Sequence, residues 1–230
     1  MFLVTVVGTA ALQSQSQSST SSSSNSHSSS PKSRAVGQAS SPLDAGAVTV
    51  GVYHNKSLGL SCKIPAAWVL RTEEMNARDA AEDSSASTGS GETGSAKTDS
   101  GGRVLLAAFS RPPEARAVDV NSSIVIAAES VATYPGLKEA AQYFGPLSEV
   151  AKAQGFTKVE EPYEFTVGTR TLAREDFQKD VGSRVMRQST LVLLARGWAV
   201  SITFIGGTED EVEELIGGLS FVAAAKPQAH

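Results

Sequence analysis

The chain is poor in the residues from which catalytic and metal centres are usually built. Its 230 residues include one cysteine and three histidines. The lone Cys62 can form no internal disulfide and no cysteine-based metal cluster. His27, His54 and His230 are too few and too scattered for a histidine-built metal site or catalytic triad. Positive charge is also short. The 20 Lys and Arg are outnumbered by 24 Asp and Glu, giving a net charge of -4. They form no basic stripe, so a nucleic-acid partner is not expected. No apolar run reaches the ~20 residues a bilayer-spanning helix needs, so no integral membrane span is expected. The part expected to fold has no G-x-S-x-G elbow, no H-E-x-x-H, no P-loop and no G-x-G-x-x-G after a strand. These absences leave no residue to assign as catalytic, cofactor-binding or metal-ligating.

Serine is what the chain has in excess, and it divides the sequence. Met1–Leu12 (MFLVTVVGTAAL) is apolar and too short to cross a membrane. It suits a signal-peptide core, with Thr9-Ala10-Ala11 as small residues for cleavage, although no Lys or Arg precedes it. A secreted or periplasmic protein is therefore expected, with a cytoplasmic one as the alternative. No cysteine follows the run, so a lipid anchor is not expected. Residues 13–47 read as a disordered, Ser-rich tether with too few apolar groups to offset the entropy of ordering. Residues 48–222 read as a single domain, interrupted by a disordered Gly/Ser/Thr insert at about 82–102. Residues 223–230 read as a frayed tail. Asn55-Lys56-Ser57 and Asn121-Ser122-Ser123 match the N-glycosylation pattern, which is common by chance.

Within the domain the period-2 alternation is clear. The stretch Arg184–Ile205 holds two apolar runs around Arg196-Gly197, a pair suited to a tight hairpin turn. That turn sets Leu193 opposite Val200, Leu191 opposite Ile202 and Ser189 opposite Phe204, with Thr190 opposite Thr203 and Val192 opposite Ser201 on the other face. One face is apolar and the other mixed, as in a sheet buried on one side. Ile202→Asp should then unfold the domain and Ser201→Asp be tolerated. Gly168-Thr169 defines a second hairpin, with Tyr163 opposite Arg174 and Phe165 opposite Leu172. Lys179–Ser183 reads as the polar turn between the two hairpins.

Further strands are expected at Val48–His54, Leu60–Ile64, Trp68–Leu70, Arg103–Ser110 and Ser123–Val131. Met75–Asp83 reads as a short helix. Leu137–Ala151 reads as a helix kinked or split at Gly145-Pro146 and capped by Gly155. Thr208 reads as the N-cap of a last helix, with Glu211 as its capping-box partner. Leu58, Leu60, Cys62 and Ile64 share one face, so Cys62 reads as a small buried hydrophobe. The fold class is α+β, a mostly antiparallel sheet with helices packed on it.

Tyr53-His54-Asn55, Leu58-Gly59-Leu60, Ile64-Pro65 and Trp68 together resemble the opening signature of the PsbP-like family. Phe165-Thr166-Val167-Gly168 into Leu172-Ala173-Arg174 resembles that family's late hairpin. The resemblance spans about Gly51 to Phe221. It implies an α/β sandwich like that of the extrinsic photosystem II subunit, a Ran-binding protein and bacterial envelope proteins. It also implies a non-enzymatic binding or assembly role. The Ser-rich tether and the 82–102 insert depart from the family pattern, and no metal- or Ran-binding motif carries over.

One surface stands out, the sheet end carrying Tyr163, Arg174, Asp176 and Arg187, as a face for a partner or ligand. The plainer reading is an aromatic–cation contact and an ion pair that close the edge of the core. Glu175 and Asp176 are strand neighbours and point to opposite faces, so they cannot act as a facing acid/base couple. The functional expectation is a non-catalytic binding or assembly module, exported, with an unidentified protein or small-molecule partner and no cofactor. The alternative is a small hydrolase-like enzyme whose site is built by tertiary contacts. The sequence sets no oligomeric state.

Overall fold

The computed structural model describes residues 43–86, 102–112, 114–115 and 119–222. The Met1–Leu12 signal core, the Ser-rich stretch up to residue 42, residues 87–101 of the insert and the 223–230 tail lie outside them, as do His27 and His230.

Two antiparallel sheets make the frame. The larger has eight strands, in the order β4 (Val69–Leu70), β5 (Arg103–Phe109), β6 (Ser123–Ser130), β11 (Trp198–Gly206), β10 (Arg184–Ala195), β9 (Arg170–Val181) and β7 (Thr157–Lys158). The eighth, β8 (Tyr163–Val167), also pairs with β9, next to β7 along the same edge. The smaller has four strands: β1 (Ala47–Thr49), β2 (Val52–Asn55), β3 (Leu60–Lys63) and β12 (Leu219–Phe221). The fold is α+β, with three α-helices among the described residues on mostly antiparallel sheet: α1 (Thr72–Ala86), α2 (Phe144–Ala153) and α3 (Glu209–Gly217).

Both predicted hairpin registers are observed, residue for residue. Leu191 lies opposite Ile202, Leu193 opposite Val200, and Tyr163 opposite Arg174. Arg196 and Gly197 both have positive φ, +54° and +83°, the conformation a two-residue turn needs to match strand twist. The hairpin occupies the centre of the large sheet, flanked by β6 and β9. Its apolar face meets the small sheet and α3. Leu191, Val200, Ile202 and Phe204 are fully buried there, together with Tyr53, Leu58, Leu60, Cys62, Val212, Leu215 and Ile216.

The mixed face is not a solvent face, which corrects the one-sided expectation. Met75 of α1 packs on Val104, Ala107, Phe109 and Val125. Tyr143 and Phe144 cover Ala173, Val192 and Ala199. Thr190 and Ser201 are consequently buried. The polar groups there bond to one another, the Thr190 and Thr203 hydroxyls lying 3.1 Å apart, which removes much of the cost of burying them.

Other boundaries moved for identifiable reasons. Val48–His54 is not one strand but a hairpin turning at Val50-Gly51, both at positive φ. A β-branched residue is rarely found in that region, at a cost of about 1–2 kcal/mol, and Val50 stands 95% exposed at the tip. The described domain includes residues 43–47, before the Val48 boundary, because Asn55 and Tyr53 hold this stretch of chain. The Asn55 amide donates to the Asp44 carbonyl at 2.7 Å, and the Tyr53 hydroxyl donates to the Ala45 carbonyl at 3.0 Å. Helix α1 starts earlier than expected and runs to Ala86, into the tract assigned to the insert. The Asn76 side chain fixes it to β5 by bonding both the N–H and the C=O of Val104, beside a β-bulge. Strand β9 continues through the expected polar turn to Val181, leaving only Gly182-Ser183 as the connection.

The Leu137–Ala151 region does split, but between Tyr143 and Phe144 and not at Gly145-Pro146, which sit in the first turn of α2: a 3-10 turn (Ala140–Tyr143) abuts α2, and Gly155 follows α2 at φ +85°. Thr208 caps α3, accepting from the Glu211 N–H at 3.1 Å. The Glu211 carboxylate does not return to Thr208. It accepts from the Gly207 N–H and the Ser122 hydroxyl instead, tying the helix start to β6.

Candidate functional site

Alternation along β9 sends Arg174 and Asp176 to the face that carries Leu172, while pairing in β8 and β10 brings Tyr163 and Ser189 beside them. Arg174 is only 6% exposed. Its Nε donates to both Asp176 oxygens at 3.0 and 3.1 Å, and its Nη2 donates to the Ser189 hydroxyl at 3.0 Å. The same nitrogen donates to Glu213 on α3. Tyr163 donates its hydroxyl to Asp176 at 2.8 Å, and Ser189 donates to the other Asp176 oxygen. The guanidinium lies 4.9 Å from the Phe165 ring centroid and 5.9 Å from that of Tyr163.

This is a closed network. Burial works against the Arg174 charge, but Glu213 and Asp176 outweigh it and hold the proton more firmly than usual. Burial, reinforced by Asp176, pushes the Tyr163 hydroxyl above its ordinary range, so it stays a donor. Three of the four predicted residues, Tyr163, Arg174 and Asp176, are brought together. Arg187 shares their face two positions before Ser189, opposite Gln178 and Gly206. It is half-buried, and although its backbone belongs to the ladder, its guanidinium forms no hydrogen bond or ion pair with another described residue. Ser189 and Glu213 were missed from sequence. The hairpin register signalled Ser189, but nothing in the pattern of α3 pointed to Glu213.

The other chemical candidates resolve plainly. Cys62 is completely buried, and burial pushes its thiol up to about 12, which makes it a core residue. Register puts His54 opposite Ser61, on the other face of the sheet from Cys62. His54 Nδ1 lies 2.9 Å from the Ser61 hydroxyl, exposed to solvent, and no described carboxylate orients the ring. Among the described residues no group of three His, Cys, Asp or Glu could hold a metal. No described helix is long and apolar enough to cross a membrane. Of the two glycosylation patterns, Asn55 is buried with its amide nitrogen committed to Asp44 and Tyr53, and Asn121 spends its amide on Ser110 and Arg111.

No protein-family model and no curated protein matches the sequence. Solved structures overlay in part. A protein of unknown function from Pseudomonas aeruginosa is 14% identical over 72% of this chain and 88% of its own, with a TM-score of 0.34. LpqN, involved in cell envelope biogenesis in Mycobacterium tuberculosis, is 12% identical over 71% and 83%, at 0.34. The Saccharomyces cerevisiae Ran-binding protein Mog1p is 12% identical over 71% and 90%, at 0.36. Likeness at this level assigns no role to any residue of the Arg174 cluster.

Proposed function

We propose that the chain is a non-catalytic binding module of the PsbP-like type, exported and joined to its surroundings through the Ser-rich N-terminal segment. The observation that carries this reading is the contrast between Arg174 and Arg187. Arg174 and its carboxylates satisfy one another and leave no reactive group. Arg187, on the same face, has a charge with no partner among the described residues. A guanidinium so placed suits recognition of a carboxylate or another anionic group on a protein or small ligand. The residues that resemble the PsbP-like opening also have a physical role, since Tyr53 and Asn55 hold the chain at Asp44 and Ala45.

Capture from the native host with the immobilised chain tests the face. Arg187→Glu should retain its melting temperature yet recover a recurrent partner at least ~10-fold less well, the usual scale for reversing a charge in a contact. Equal recovery by both proteins would remove this face from the reading. Ester turnover that is lost in Ser61→Ala would favour the hydrolase instead. Export has its own check: N-terminal sequencing of the mature protein should read a start beyond Leu12, and an intact Met1 counts against it.

A further inference from the structure

Beneath α2 lies a carboxylate that the Arg174 cluster does not use. Glu175 points to the opposite face of β9, between Ala173 and Phe177, and is 1% exposed. The Ser148 hydroxyl of α2 donates to its Oε2 at 2.7 Å. Its Oε1 is buried without a hydrogen bond. Lys158 of edge strand β7 stands between two carboxylates, 2.8 Å from Glu161 Oε1 and 3.6 Å from Glu175 Oε1. It therefore bonds the exposed carboxylate and stops just short of the buried one.

The other groups around Glu175 offer little. Thr190, opposite it in register, is hydrogen-bonded with Thr203 and Gln188. Glu164 of β8, opposite Ala173, and Glu149 and Lys152 of α2 are exposed. Arg174 and Asp176 lie on the far face. From α2 and the segment after it come Ala151 and Phe156, both apolar. Lys179, on the same face as Glu175, donates to the Gln154 carbonyl at 2.6 Å, so among the described residues Lys158 is the one cation that approaches the orphan oxygen.

A buried ionised carboxylate is stabilised by several donors, and one hydroxyl is not enough. We propose that Glu175, Lys158 and Glu161 form a proton-operated latch on the β7 edge. With Glu175 protonated, Lys158 rests on Glu161. When the proton leaves to solvent, Lys158, whose strand is already paired with β9, swings its ammonium inward to hydrogen-bond Oε1 and releases Glu161.

Burial pushes the Glu175 carboxyl above its ordinary range, with Ser148 and Lys158 pulling the other way. The folded state therefore holds this proton more tightly than the unfolded chain does. The contribution of Glu175 to stability is greatest below the ordinary carboxylate range and falls as the pH rises through its folded value.

Carboxyl-carbon and lysine-ammonium NMR on the full chain tests the latch. Glu175 should titrate above an ordinary glutamate, and the Lys158 signal should move with the same midpoint. Lys158→Met removes the facing cation and should raise that midpoint by about 1 unit or more, whereas Glu161→Gln frees the lysine and should lower it. Both positions are partly or fully exposed, so the fold is not at risk. The latch is overturned by a midpoint unmoved in both variants, by a Lys158 signal blind to it, or by a Glu175 that keeps one protonation state from about pH 4 to about pH 9.

Discussion

Ile202→Asp should leave the protein unfolded at room temperature. Ile202 is completely buried in the core between the two sheets, paired with Leu191 on one side and Ile126 on the other. The substitution removes a large apolar side chain and places an unpaired carboxylate where no donor is available. Its cost exceeds about 5 kcal/mol, as large as the whole stability of many domains. Circular dichroism should show loss of the cooperative melt. A variant that melts near the parent would refute the register on which the fold rests. Ser201→Asp, expected from sequence to be harmless, should instead destabilise as well. Ser201 is 7% exposed, between Val192 and Ala127 on a face that α1, Tyr143 and Phe144 help to cover.

The contrast between those two neighbours shows what was legible in the sequence. Register could be read because strict alternation and a glycine-containing turn both fix it, and a slip by one residue would bury the wrong set. Tyr163, Arg174 and Asp176 could be paired from sequence for the same reason. Coverage could not be read. Thr190, Ser201 and Thr203 look like solvent-facing residues, and only the fold shows Thr190 and Ser201 buried, with the Thr190 and Thr203 hydroxyls bonded to each other. Val48–His54 looked continuous because valine is an unusual residue for a left-handed turn, and the structure puts Val50 there. Glu213 reaches Arg174, and Lys158 approaches Glu175, across long stretches of chain, and no local pattern encodes such a meeting. Strand β12 is too short for alternation to reveal it.

Arg174→Met is the second large effect, and it separates a structural core of the site from its outward-facing part. Methionine preserves much of the arginine's packing against Phe165 and Tyr163 but removes every donor. Asp176 is then left with the Tyr163 and Ser189 hydroxyls and no cation, at 19% side-chain exposure. Breaking a buried pair from one side costs about 3–5 kcal/mol, because the surviving charge is stranded. The Glu213 contact adds little, since that carboxylate is nearly half exposed and water replaces the arginine. Urea denaturation should therefore show the loss with an unchanged slope. Adding Asp176→Leu should recover most of it, because the stranded charge is gone. If the double variant is no more stable than Arg174→Met alone, the cost lies in packing and not in the ion pair. Arg187→Glu should leave the urea midpoint near the parent's, since no described residue bonds the Arg187 guanidinium and the substitution keeps the backbone pairing. Stability would then rest on Arg174 and recognition on Arg187.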